Sequence, residues 1–133
     1  GRKGKGKTKN LLDKVNGAVK EAHGDIVYLD KNGKHMYDLS NKVRLVDMSV
    51  YPIRNYDTFF GFLCGMVSQN HDLEAVYLDS FLKLSSLEGK DIASAVSDLD
   101  AISKKFSVNF VLSVSEDDAN LPEIAREKTV LAL

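Results

Sequence analysis

Residues 1–8 read GRKGKGKT, with glycines at 1, 4 and 6 and a Lys-Thr pair closing the run. Glycine, any four residues, then Gly-Lys-Thr describes a loop that turns tightly and opens directly into a helix, so it constrains all that follows. Glycine tolerates positive φ and lets the backbone approach an anion closely, with its N–H groups turned inward around a phosphate chain. Lys7 would neutralise the outer phosphates, the Thr8 hydroxyl would reach an accompanying Mg²⁺, and a helix starting there would aim its positive end at the same charge. Gly1, Gly4, Lys5, Gly6, Lys7 and Thr8 are therefore the candidate phosphate cradle. The competing reading is a basic arm without fixed structure.

The segment after the loop separates the two. Leu11, Leu12, Val15, Ala18, Val19 and Ala22 recur at helical spacing through residue 22. His23 and Gly24 stop that helix, and Asp25 to Asp30 (DIVYLD) is a short apolar run of strand type. Loop, helix and strand in this order belong to a folded α/β unit rather than a tail. Such a loop normally hangs from the end of a buried apolar strand, and none stands ahead of Gly1 in this sequence. The expectation is that the strand lies upstream of Gly1, which leaves Thr129 to Leu133 (TVLAL) as a late strand. The alternative puts TVLAL itself in the vacant position.

The remainder alternates in the same way. Lys34 to Ser40 reads as a short helix, although LysAsnGlyLys at 31–34 is also a hairpin signal. Val43 to Met48 is a second strand, Tyr51, Pro52 and Asp57 mark an irregular connection, and Thr58 to Gln69 is an apolar helix expected to be buried. Leu73 to Asp79 (LEAVYLD) is a third strand, again ending in aspartate. Ile92, Ala95, Val96, Leu99, Ile102 and Phe106 form the core stripe of a helix over 89–106, followed by a strand over Ser107 to Ser115. An acidic loop at 117–119 and a short helix over 121–128 come before TVLAL. Strands alternating with helices at this spacing give one parallel α/β domain over residues 1–133. Its strand ends bring Gly1 to Thr8, Asp30, Asp79 and Ser113 to one rim.

Charge is distributed to match. Residues 1–20 carry seven basic groups against one acid, and residues 70–133 carry six against twelve. The positive start suits a nucleoside triphosphate and equally a nucleic-acid backbone, while the acidic second half argues against a duplex-binding surface over the whole domain. A single cysteine, Cys64, excludes an internal disulfide framework and fits a reducing cytoplasm. No apolar run is long enough to span a membrane. Cys64 lies in the apolar helix without an evident base and reads as a buried thiol rather than a nucleophile. His23, His35 and His71 have no metal-ligand spacing with it or with each other.

On GRKGKGKT and on the aspartate closing LEAVYLD, the chain resembles the P-loop NTPases, and specifically the RecA-like branch, in which extra strands separate the loop strand from the Walker B strand. More loosely it is similar to small uncharacterised bacterial ATP-binding proteins. The resemblance implies a three-layer fold with a mostly parallel sheet, ATP and Mg²⁺ as ligands, Thr8 and Asp79 holding the metal, Lys7 acting on the phosphates and Ser113 sensing the γ-phosphate. Asp30 stands where RecA-like members can place the carboxylate that activates water. Ser80 follows Asp79, where many related ATPases have Glu. An arginine finger, Arg54 or Arg126, would act across an interface with a protein partner or a second copy. The implied activity is slow ATP hydrolysis. A non-hydrolysing nucleotide switch and a small-molecule kinase are the alternatives.

Overall fold

The computed structural model describes residues 7–114 and 130–132, with side chains over 8–114. Gly1, Gly4, Lys5 and Gly6, the side chain of Lys7, the 117–119 loop and the 121–128 segment with Arg126 lie outside the described residues.

Helix α1 (Lys7–Ala18) begins at the Lys-Thr pair and continues as a 3₁₀ turn over Val19–Glu21. It leads into β1 (Asp25–Asp30) through Gly24, where a Cβ would overlap the carbonyl oxygen of Asp72. That close approach lets the Asp25 N–H donate to Asp72 at 2.7 Å and starts the pairing of β1 with β3 (Leu73–Leu78). Glu74 accepts from the backbone N–H groups of His23 and Gly24, each at 3.0 Å, and fixes the turn between helix and strand.

Together with β2 (Val43–Asp47), β4 (Asn109–Val114) and β5 (Val130–Ala132), these strands form a parallel sheet in the order β2-β1-β3-β4-β5. Parallel strands must be covered on both faces, which is why their sequences are nearly continuous apolar runs. Alternate residues divide between two cores. Ile26, Tyr28, Val43, Ala75, Tyr77 and Val111 meet Leu11, Leu12 and Val15 of α1 on one face. Val27, Leu29, Val76, Leu78, Phe110 and Leu112 face the opposite layer, built from α2 (Tyr56–Gln69), the single turn α3 (Phe81–Leu84) and α4 (Ala93–Phe106). The fold is thus a three-layer α/β arrangement, as expected from the sequence.

Several local expectations are corrected. The helix read over Lys34 to Ser40 is only a 3₁₀ turn, Met36–Asp38, in an otherwise irregular loop. Helix α2 starts two residues before Thr58 and is buried against the sheet, as expected, along one stripe. Phe59, Leu63 and Val67, four apart, form its inward stripe, while a Cβ added at Gly61 or Gly65 would meet open space. Cys64, off that stripe, is half-buried rather than buried. Helix α4 starts at Ala93 rather than 89, and Phe106 in its last turn is 49 % exposed instead of belonging to the core. Residues 130–132 of TVLAL do form a strand, paired in parallel with β4 on the side away from β3.

Helix α2 is started by Asn55, whose side chain accepts from the Thr58 N–H at 2.8 Å. Asn55→Ala is expected to lower stability by about 1 kcal/mol, because one of the unpaired donors in the first turn loses its partner. A urea titration of the two proteins measures this directly.

Candidate functional site

The sheet register assembles the site. Leu29 of β1, Leu78 of β3 and Leu112 of β4 lie side by side. The next residues, Asp30, Asp79 and Ser113, therefore form a row at the C-terminal edge, and the Asp79 N–H donating to the Leu29 carbonyl at 3.1 Å carries the ladder one step past β3. By strand alternation all three share the face of Tyr28, Tyr77 and Val111, which is the face covered by α1. All three are buried, Asp30 to 1 % exposure and Asp79 and Ser113 to 3 % each.

The chain order places this row where ligands collect. From β1 the chain moves to one side, to β2, and then crosses back to β3 on the other side. Connections that leave in opposite directions open a crevice beyond the strand ends at that point. Asp30 and Asp79 stand on its two sides.

Helix α1 completes the arrangement from above. The Thr8 hydroxyl, in its first turn, donates to Asp79 Oδ1 at 3.3 Å across 71 residues of sequence. The Tyr28 hydroxyl, buried beneath, donates to Asp79 Oδ2 at 3.0 Å. Burial, reinforced by the charge and hydrogen bond of Asp79, pushes the Tyr28 phenol far above its ordinary range, so it stays a donor at any physiological pH. Ser80 lies in the left-handed region at φ 56°. That conformation costs a non-glycine residue on the order of 1 kcal/mol and here turns the chain sharply from Asp79 into α3.

Asp30 has the opposite environment. Burial and the neighbouring Asp79 charge hold its carboxyl above the ordinary range, opposed in part by His35 and by the backbone amides of Asn32 and Lys31. Its Oδ2 is buried with no hydrogen-bond partner among the described residues. A buried acceptor left in this state is costly unless something absent from the protein satisfies it. The donor set fits a hard cation, since Thr8 and Asp79 offer oxygens at one point and Asp30 offers another beside them.

Two residues at this edge escaped the sequence reading. Asp47 pairs with Asp30 across β2 and extends the row, although its Oδ1 is engaged by the N–H and hydroxyl of Ser49 at 3.0 and 2.6 Å. Its signal was visible, since VRLVD ends in aspartate as the other two strands do. His35, set aside for want of ligand spacing, stands beside Asp30 and Asp79: one ligand atom from each of the three lies within 4.8 Å of the others. No sequence period marks it, because it sits in a loop. Arg54 falls before α2 and is exposed. Among the described residues no helix is long and apolar enough to cross a membrane. Comparisons with protein-family models, with curated proteins and with solved structures found no significant match to this chain.

Proposed function

We propose that this chain is a P-loop nucleotide-binding domain of RecA-like type that binds MgATP and hydrolyses it slowly. The observation that carries the reading is the Thr8 to Asp79 hydrogen bond, which joins the residue closing GRKGKGKT to the carboxylate closing LEAVYLD. A basic arm with a chance glycine pattern has no reason to enter a helix whose first turn meets a buried strand-end aspartate. The sheet supports it too, because its strands are parallel and Asp30 and Asp79 stand at the ends of adjacent strands on one edge.

In this reading Gly1, Gly4, Lys5 and Gly6 wrap the phosphates and Lys7 neutralises the outer ones. Thr8 and Asp79 would hold Mg²⁺, which when bound supplies positive charge beside the phosphate oxygens. Tyr28 holds one Asp79 oxygen in place and leaves the other facing Thr8. Asp30, whose proton affinity is raised by its surroundings, accepts a proton from the attacking water. Ser113, level with Asp79 on the next strand, presents a hydroxyl at the same rim.

A thermal-unfolding midpoint that rises with MgATP, and a rise abolished by Lys7→Ala, is the expected result; at a hundredfold excess over Kd the gain is about 2.7 kcal/mol. An unmoved midpoint in the unsubstituted protein would refute the reading. One observation favours a non-hydrolysing switch instead: Ser80, not a carboxylate, follows Asp79, with its hydroxyl 3.5 Å from Asp79 Oδ1. Phosphate release without an acceptor supports the hydrolase, and tight binding without turnover supports the switch.

A further inference from the structure

We infer that Asp30, His35 and Asp79 form a binding site for a divalent transition-metal ion of the Mn²⁺ to Zn²⁺ series, and that the site loads without nucleotide. The proposal shares Asp30 and Asp79 with the function given above but is tested in the absence of nucleotide, so either can fail alone.

Three separate features converge. The two carboxylates come from the ends of adjacent strands, so the sheet backbone fixes their positions, and the third donor is a nitrogen. One ligand atom of each lies within 4.8 Å of the others, and one octahedral ion at about 2.1 Å holds adjacent ligands roughly 3.0 Å and opposite ligands roughly 4.2 Å apart, so the set closes on an ion by side-chain movement. Second, Asp30 belongs to this cluster, and its Oδ2 is buried without a partner among the described residues. A cation is the ligand that satisfies such an atom and also relieves the repulsion between Asp30 and Asp79.

Third, His35 is held as a metal-binding imidazole is held. Its Nδ1 lies 3.1 Å from Asp38 Oδ2, which leaves Nε2 as the ring nitrogen without that partner. A carboxylate bound to one ring nitrogen sets which nitrogen carries the proton. The loop bearing both residues is tied to α1 by Asn16, which donates to the Asp38 carbonyl at 2.9 Å and accepts from the Ser40 N–H at 2.8 Å. The nitrogen donor selects the class of ion. Mg²⁺ favours oxygen donors and retains its waters, whereas imidazole with carboxylates suits Mn²⁺, Co²⁺ and Zn²⁺.

Co²⁺ titrated into the nucleotide-free protein tests this by calorimetry and by its visible absorption bands. One equivalent should bind, at least tenfold tighter than Mg²⁺. His35→Gln should weaken Co²⁺ binding by at least what loss of an outer hydrogen-bond partner costs, roughly tenfold to a hundredfold, and Asp38→Asn by about tenfold. The double variant His23→Gln, His71→Gln removes the two exposed imidazoles elsewhere and should bind Co²⁺ unchanged. Circular dichroism establishes that each variant is folded. Co²⁺ bound no tighter than Mg²⁺, or an affinity lost with His23 and His71 and retained in His35→Gln, would overturn the proposal.

Discussion

Asp30→Asn is expected to stabilise the metal-free protein at neutral pH, by about 1–3 kcal/mol, while removing an oxygen that the site requires. The gain arises because the carboxylate is buried beside Asp79 with one oxygen unpaired. Its sign with pH follows from linkage. The carboxyl has a higher pKa folded than its ordinary 3.8, so between the two values the folded state binds more protons than the unfolded state. Stability contributed by Asp30 is thus fully present below pH 3.8 and is lost as pH rises through the folded-state value. Asparagine does not titrate, and the advantage of Asp30→Asn should be absent in acid, grow through that window and level off above it. Urea midpoints of the two proteins across the acid range measure the difference. Curves that stay parallel at every pH would mean that Asp30 carries no ionisation penalty. Adding Co²⁺ should reverse the ranking, since only the unsubstituted protein offers the full donor set.

Phe81→Ala should have the largest effect on stability of any change described here. The ring is fully buried and meets Phe59 of α2 edge-on, with centroids 6.1 Å apart and an interplanar angle of 70°. Removing a buried phenylalanine costs about 3–5 kcal/mol, a large part of the roughly 5–15 kcal/mol that holds a domain together. For a chain of this size the thermal midpoint should fall by roughly 10–20 °C. Phe81 lies two residues after Asp79, across the strained Ser80, so its packing also anchors the turn that aims the carboxylate. Phe81→Leu keeps most of the volume and should retain most of both stability and ligand response. A Phe81→Ala protein with an unshifted midpoint would place the ring outside the cooperative core.

The sequence made the strand ends legible because a strand has a short, strict period. DIVYLD and LEAVYLD each change from apolar to acidic at one residue, and that residue stands at the C-terminal edge of the sheet. Helix α1 was legible for a related reason, since Leu11, Leu12, Val15 and Val19 specify one face. Lateral relations were not legible. Nothing in the order of residues states that β3 lies beside β1 instead of β2, so the closeness of Asp30 and Asp79 emerged only with the fold. His35 depends on a loop conformation that Asn16 imposes from another element, and no periodicity encodes such a bond. Phe106 shows a different limit: periodicity assigns a helix face but not whether a neighbouring element extends far enough to cover it. Glycine-rich composition raises the expectation of a phosphate cradle at residues 1–8, and Thr8, within the described residues, meets Asp79.

The shared parity of Asp30, Asp79 and Ser113 makes chain length a stricter requirement than side-chain identity. Exchanging one apolar residue for another inside β3 disturbs packing and leaves Asp79 facing α1. A single residue inserted between Ala75 and Asp79 would rotate the carboxylate to the opposite face, among Leu29, Leu78 and Phe81. The tolerated variants of this protein should therefore be rich in substitutions along β1, β3 and β4, with insertions and deletions confined to the loops between them.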